Sequence, residues 1–211
     1  MGTVIEFEAH RRRRHPAQGL RAHCVVDLAC PFSYLVAERV QRAFPQLTWG
    51  LASNAVVDRR DPTSDSTRVD RVRLAAEERA AQLRLPLEWP DRFPREVPAA
   101  MRAASVAVEH GRGGEFVLAA GRLAFCGGFD LEDPEILAEA AAAAQLDLDA
   151  CLRAAREESR DAPIEARSRR LLAAGADRLP VVRVGRTLLW GERRISAFLA
   201  GGPRRETRLI S

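Results

Sequence analysis

The sequence predicts an α/β fold, a mixed sheet whose strands are separated by an inserted all-helical block. Three observations carry that expectation. Between Ala22 and Leu51 an apolar strand, an amphipathic helix and a second strand follow one another closely, which is the pattern of a right-handed βαβ unit with parallel strands. From 61 to 160 the periodicity is helical. After it, Asp177 to Val184 and Thr187 to Trp190 flank Gly185-Arg186, a two-residue glycine-containing connection that makes an antiparallel hairpin.

Taken in order, Thr3 to Glu8 alternates like a strand, and His10 to Gly19 is a basic, proline-containing loop. Residues 1–20 therefore form an N-terminal extension. The first strand of the main sheet spans about Ala22 to Leu28. Pro31 has the fixed φ suited to a first helical position, and Leu35, Val36, Val40, Ala43 and Phe44 recur at helical spacing after it. Leu47 to Leu51 is the second strand. Asn54 follows at its C-terminal end, the edge where ligands of open α/β sheets bind, although forming a turn is the competing role.

Pro62 to Thr67 reads as a polar loop. Val69 to Leu83 is amphipathic, Pro86 to Pro94 is an irregular connection, and four helices follow at Pro98 to His110, Glu115 to Cys126, Asp133 to Gln145 and Leu148 to Glu157. Asp133-Pro134 and Asp147 supply helix starts. Ala162 to Ala174 is a helix closed by Gly175. Pro180 opens the next strand, a position where its missing N–H costs no ladder bond. The expected organisation is a main α/β domain of 21–60 and 161–202, a helical insertion of 61–160, and a tail of 203–211.

The stretch that carries chemistry is Val25 to Leu35, where a strand ends in a tight turn and runs into a helix. Cys30 sits at the N-cap, beside unpaired N–H groups and the positive end of the helix dipole. That position favours thiolate, and such cysteines fall from about 8.5 to roughly 3.5–7.5. A structural reading of Cys30 as a small buried hydrophobe stands against this. Ser33 occupies the place where a second cysteine would complete Cys-x-x-Cys; its hydroxyl either supports Cys30 or satisfies the first helical turn. Asp27 lies close enough to take or relay a proton, or to cap the turn. Cys24 is a poor resolving thiol: four to six residues of extended chain place it on the order of 13 Å away, beyond the roughly 7 Å limit for a disulfide.

Composition narrows the setting. A chain of 211 residues with 46% hydrophobic content buries a real core. The four cysteines, Cys24, Cys30, Cys126 and Cys151, are scattered, without the pairing of a zinc site or the density of a disulfide-stapled domain, so no metal is expected. His110, Cys126 and Cys151 read as helix-packing residues and His23 as an ordinary strand residue. No apolar run is long enough to span a membrane and the N-terminus lacks a signal-peptide core, which gives the expectation of a cytoplasmic protein with no membrane partner. The net charge of +4 comes entirely from arginine, much of it alternating with Glu and Asp on helix faces. The run Arg11 to Arg14 has no interleaved aromatics, so no nucleic-acid partner is expected.

The motif Asp27-x-x-Cys30-Pro31-Phe32-Ser33-Tyr34-Leu35 resembles the opening of the DsbA-like thioredoxin superfamily. That group includes DsbA-type disulfide oxidoreductases, kappa-class glutathione transferases and 2-hydroxychromene-2-carboxylate isomerases. The last two read Asp-x-x-Ser-Pro-[Tyr/Phe]-Ser-Tyr/Trp-Leu, with the first Ser facing a glutathione sulfur; Cys30 stands at that Ser. Leu85-Pro86-Leu87 with Phe93-Pro94, and Phe129 to Pro134, resemble the isomerase branch, and Gly175-x-x-x-Leu179-Pro180-Val181 followed by Trp190-Gly191 resembles the superfamily's end.

The resemblance, over about Ala22 to Ala200, implies a thioredoxin fold with a cis-proline at Pro180 packed against the reactive helix start. It implies that Leu179 offers backbone N–H and C=O to a bound thiol, and that Pro31, Phe32, Tyr34 and Asn54 border that thiol. It implies a thiol or disulfide substrate and no tightly bound cofactor, with glutathione or another low-molecular-weight thiol as the diffusible co-reactant. One departure stands out: where kappa-class enzymes carry a Ser-Asp pair for the glutathione ammonium group, this chain has Glu192 and Arg193. The expectation is thiol–disulfide oxidoreduction through the single cysteine Cys30, assisted by Ser33 and Asp27. A thiol-dependent isomerase or transferase is the alternative, and a non-catalytic thiol-peptide-binding relative the third. Monomer and homodimer are both open.

Overall fold

The computed structural model describes residues 21–58 and 66–201. The expected strand at Thr3 to Glu8, the basic loop after it, most of the polar loop at Pro62 and the C-terminal tail lie outside the described residues.

Strand β1 (Ala22–Val26) pairs in parallel with β2 (Leu47–Leu51) and antiparallel with β3 (Val181–Val184), which pairs antiparallel with β4 (Thr187–Trp190). The order β2-β1-β3-β4 is the expected βαβ unit and hairpin joined into one mixed sheet. The Leu179-Pro180 bond ahead of β3 is cis, as the resemblance implied, and Phe93-Pro94 is a second cis bond that the sequence reading did not anticipate.

Helix α1 (Pro31–Ala43) buries Leu35, Val36 and Val40 completely. It ends at Phe44, whose extended φ of −124° and ψ of 100° are what a residue preceding Pro45 is forced toward. A short helix, α2 (Asn54–Asp58), starts where the sequence suggested a turn; its apolar pair Val56-Val57 puts Val57 against the sheet. Helices α3 (Ser66–Leu83), α4 (Pro98–Glu109), α5 (Gly113–Phe125), α6 (Pro134–Ala143) and α7 (Leu148–Ala155) make the helical block, followed by a 3₁₀ turn at Glu158–Arg160. The starts of α6 and α7 are side-chain capped as expected, with the Asp133 and Asp147 carboxylates accepting from the N–H groups of Glu135 and Ala150. Alanines 100, 103, 104 and 107 give α4 a smooth buried face on which α7 packs closely. Helix α8 (Asp161–Ala173) ends at Gly175, whose φ of +88° suits glycine, and α9 (Glu192–Gly201) closes the described chain.

Because side chains alternate along a strand, the sheet serves two cores. Cys24, Val26, Val182 and Val184 face α1 and the helical block, while Val25 and Val181 face α2 and α8 through Val57, Leu171 and Ala176. Among the described residues no helix is long and apolar enough to cross a membrane.

The C-terminal helix is pinned by one buried charge. Glu192, at 6% exposure, accepts from Arg39 of α1 at 3.1 Å and Arg79 of α3 at 2.7 Å, and Ser196 joins them through hydrogen bonds to both Glu192 and Arg39. Removing the carboxylate leaves two partly buried guanidinium groups uncompensated. Glu192→Ala is therefore expected to lower the unfolding free energy by about 3 kcal/mol, the usual cost of breaking a buried pair from one side, as read by urea denaturation.

Candidate functional site

The site grows from the end of β1. Asp27 leaves the strand buried, at 7% exposure, and its carboxylate is held from both sides: Oδ1 accepts from the Ala29 N–H at 2.8 Å and Oδ2 from the Asn54 N–H at 2.7 Å. Its own N–H donates to the Ser33 hydroxyl at 3.3 Å. The turn is closed by Cys30 N–H to Asp27 C=O at 3.2 Å, and α1 begins with Ser33 N–H to Cys30 C=O at 2.9 Å. Helix α4 supports the turn from beneath, where Leu28 N–H meets Met101 Sδ at 3.4 Å.

Cys30 is the N-cap residue, as expected, with φ −96° and ψ 115°, and its side chain makes no capping bond. Its thiol faces the first turn of α1 without closing a cap bond. The expectation of a lowered pKa is corrected. Cys30 is only 8% exposed; burial first, and the nearby Asp27 carboxylate second, push the thiol up to about 11, against the Ser33 and Phe32 N–H groups and the Ser33 hydroxyl, which favour thiolate. Desolvation outweighs the helix end because the turn sits inside the protein rather than at its rim. Burial likewise raises Asp27 to about 6, against the two N–H bonds that favour its charged form, with Glu96 adding a smaller upward push.

The other expected site residues divide. Pro31 is buried and Phe32 half-buried at the helix start, and Leu179 and Pro180 are buried beside the sheet. Asn54 enters through its backbone, as the donor that fixes Asp27. Tyr34 turns toward the helical layer: its hydroxyl donates to the Pro86 carbonyl at 3.0 Å and lies 3.1 Å from Cys126 Sγ, and its ring stacks on Phe125. Gly121 leaves room for that ring, since a Cβ there would come within 3.3 Å of it. Glu192, one of the two residues replacing the ammonium-binding pair, is committed to Arg39 and Arg79, while Arg193 is exposed. Cys24 is buried in the sheet, with its thiol raised by burial, and no disulfide joins the described cysteines. No group of metal-ligating side chains occurs among the described residues.

The sequence reading missed a small apolar cavity of about 30 Å³ beside the turn. Leu28, Ala29, Phe93, Val97, Phe125 and Leu131 line it, and Arg92 and Arg95, both paired with Asp130, stand at its edge. Phe129, 47% exposed, completes the rim. Its members come from distant parts of the chain, so only the isomerase-like phrases around Phe93 and Phe129 hinted at it.

The two raised groups are coupled. Above about pH 6 the ionised Asp27 opposes formation of the Cys30 thiolate. Asp27→Asn should lower the midpoint of Cys30 alkylation by about one unit, the effect of removing one nearby like charge. The measurement is the pH dependence of iodoacetamide labelling, followed by peptide mass; an unchanged midpoint would mean that the Asp27 charge does not reach the sulfur.

The comparisons with known proteins agree with this fold. The model of the DSBA-like thioredoxin domain matches residues 23–200. A 2-hydroxychromene-2-carboxylate isomerase structure superposes with a TM-score of 0.71 at 14% identity, covering 85% of this chain and 93% of that one. A probable DsbA oxidoreductase from Streptomyces coelicolor gives 0.62 at 19% identity, covering 91% and 94%. The cytosolic disulfide reductase DsbM from Pseudomonas aeruginosa gives 0.62 at 20% identity, covering 87% and 93%. No curated protein sequence matches the chain. With residues 23–200 under one family model, the chain belongs to the DSBA-like thioredoxin domain family.

Proposed function

We propose that this enzyme is a monothiol disulfide oxidoreductase working in the reductive direction, with Cys30 as nucleophile. The observation that carries the reading is the Cys30 sulfur at the start of α1, in no disulfide and closing no cap bond, with a buried carboxylate of raised pKa close by. Asp27, ionised at neutral pH and a stronger base than an ordinary carboxylate, takes the Cys30 proton. The thiolate attacks a disulfide R–S–S–R, forming a Cys30–S–S–R bond and expelling RS⁻, which recovers the proton from Asp27 as RSH. Ser33 has no sulfur to resolve this intermediate. A low-molecular-weight thiol supplies the second thiolate, attacks the mixed disulfide and leaves as a new disulfide, returning Cys30.

The direction follows from the thiol's energetics. Strong oxidants of this kind hold a stabilised thiolate; burial and Asp27 destabilise the Cys30 thiolate, which favours the disulfide-bonded state of Cys30 and with it reduction of the substrate. The cavity beside Leu28 and Ala29 suits an apolar flank on the substrate.

One observation favours a second reading. A Cys30 that stays protonated at neutral pH is also a hydrogen-bond donor placed where the isomerase relatives carry serine, so a thiol-dependent isomerase or transferase site remains the competing class. Cys30→Ser separates them. Reduction of a glutathione mixed disulfide should fall to the uncatalysed rate in this variant, and intact mass should show one glutathione added to the wild-type chain and none to the variant. Undiminished activity in Cys30→Ser would refute the redox reading and favour the isomerase or transferase class.

A further inference from the structure

Nearly every arginine that withdraws from solvent in this protein finds a partner. Arg39 and Arg79 meet Glu192, Arg102 meets Asp161, Arg160 meets Glu109, and Arg68 meets Asp58. Arg73 lies over Trp89 and Phe93 and donates to the Phe93 carbonyl. Arg167 of α8 is the exception among the half-buried arginines described: its only hydrogen bond is a long one, Nη1 to the Leu51 carbonyl at 3.5 Å.

Its neighbours are also cationic or neutral. His23 of β1 uses Nδ1 on the Thr48 hydroxyl at 2.9 Å, leaving Nε2 without a partner. Arg183 lies directly across β3 from His23 in the sheet register and is exposed. The Nε2 of His23 and Nη1 of Arg167 converge over Gly50, where a Cβ would come within 2.8 Å of one and 3.0 Å of the other. Burial first, then the charges of Arg167 and Arg183, hold His23 below its ordinary pKa, and Arg170 adds its charge to Arg167. No carboxylate faces this group among the described residues.

We propose that His23, Arg167 and Arg183 form a second binding site, for a phosphate group, free or carried by a small molecule. A guanidinium fork with spare donors, a second arginine beside it and an imidazole that gains a proton when an anion arrives suit a tetrahedral oxyanion. The group lies on the sheet face that α8 covers, over Gly50 of β2 and beside His23 of β1, on side chains that the Cys30 turn does not use. Binding couples to protonation of His23, because the anion reverses the sign of its surroundings.

The test follows the His23 imidazole resonance of the full chain through a pH titration, without and with inorganic phosphate. Phosphate should raise the His23 midpoint by about one unit, saturably. Arg167→Gln should weaken binding by at least about tenfold, the loss of one charge-assisted hydrogen bond. Arg183→Gln, an exposed position that tolerates replacement, should weaken it as well, so the proposal stays testable if the Arg167 variant fails to fold. Arg169→Gln, on the same helix but paired with Glu165, should leave binding unchanged. Adenosine monophosphate in place of phosphate distinguishes the sources: tighter binding points to a nucleotide-borne group, equal binding to free phosphate. An unsaturable effect, or the same midpoint shift in Arg167→Gln and Arg183→Gln, would overturn the proposal.

Discussion

The arrangement at the active end of the sheet depends on the Asp27 carboxylate. Its two oxygens accept from Ala29, which begins the turn toward Cys30, and from Asn54, which begins α2 after the second strand. Its backbone N–H reaches the Ser33 hydroxyl in the first turn of α1. One buried residue thus ties together the end of β1, the start of α1 and the start of α2. Those N–H groups would otherwise be unpaired in a desolvated place, so the carboxylate is needed structurally before it does any chemistry. The same burial makes it a usable base near neutrality.

At Cys30 two physical effects compete, and magnitude decides. A helix N-terminus stabilises an anion by about 0.3–1 kcal/mol and at most about 2, or roughly one pKa unit. Removing a thiolate from water shifts its pKa by up to about 3–5 units when burial is complete. Cys30 is close to that limit, and the Asp27 charge adds to it, so the sulfur stays a thiol. An exposed cysteine on the same helix start would have become an acidic, oxidising thiol. Depth, set by Met101, Phe125 and the helical block over the turn, holds this thiol in its protonated form instead.

How much of this was legible depended on whether the signal was local. The βαβ unit, the hairpin and the capped starts of α6 and α7 rest on short patterns, and the sequence displays them. Helix α2 was hidden because Asn54-Ala55-Val56-Val57-Asp58 is too short for a period to show. Cys30 was placed correctly at the N-cap, but a dipole argument contains no information about depth, which comes from residues seventy and more positions away. Tyr34 is similar: its motif suggested the thiol site, yet Gly121, Pro86 and Cys126 draw its ring into the helical layer. Arg167 gave no sign, since one arginine in an arginine-rich helix looks like any other until its carboxylates are sought in space.

Strand β1 links the two ends of the molecule. Asp27 follows it with a carboxylate that meets no cation among the described residues, and His23, second in the strand, lies beside two arginines that meet no carboxylate among them. Four residues of extended strand hold these charges roughly 13 Å apart, beyond hydrogen-bonding reach. Had the chain turned back at this point and brought them together, an ordinary ion pair would have formed, the carboxylate pKa would have dropped and the guanidinium would have been filled. The hydrogen-bonded rigidity of a central strand prevents that. A short, buried, doubly paired β1 therefore does more than anchor the core, because it holds the Asp27 carboxylate apart from the basic group around His23.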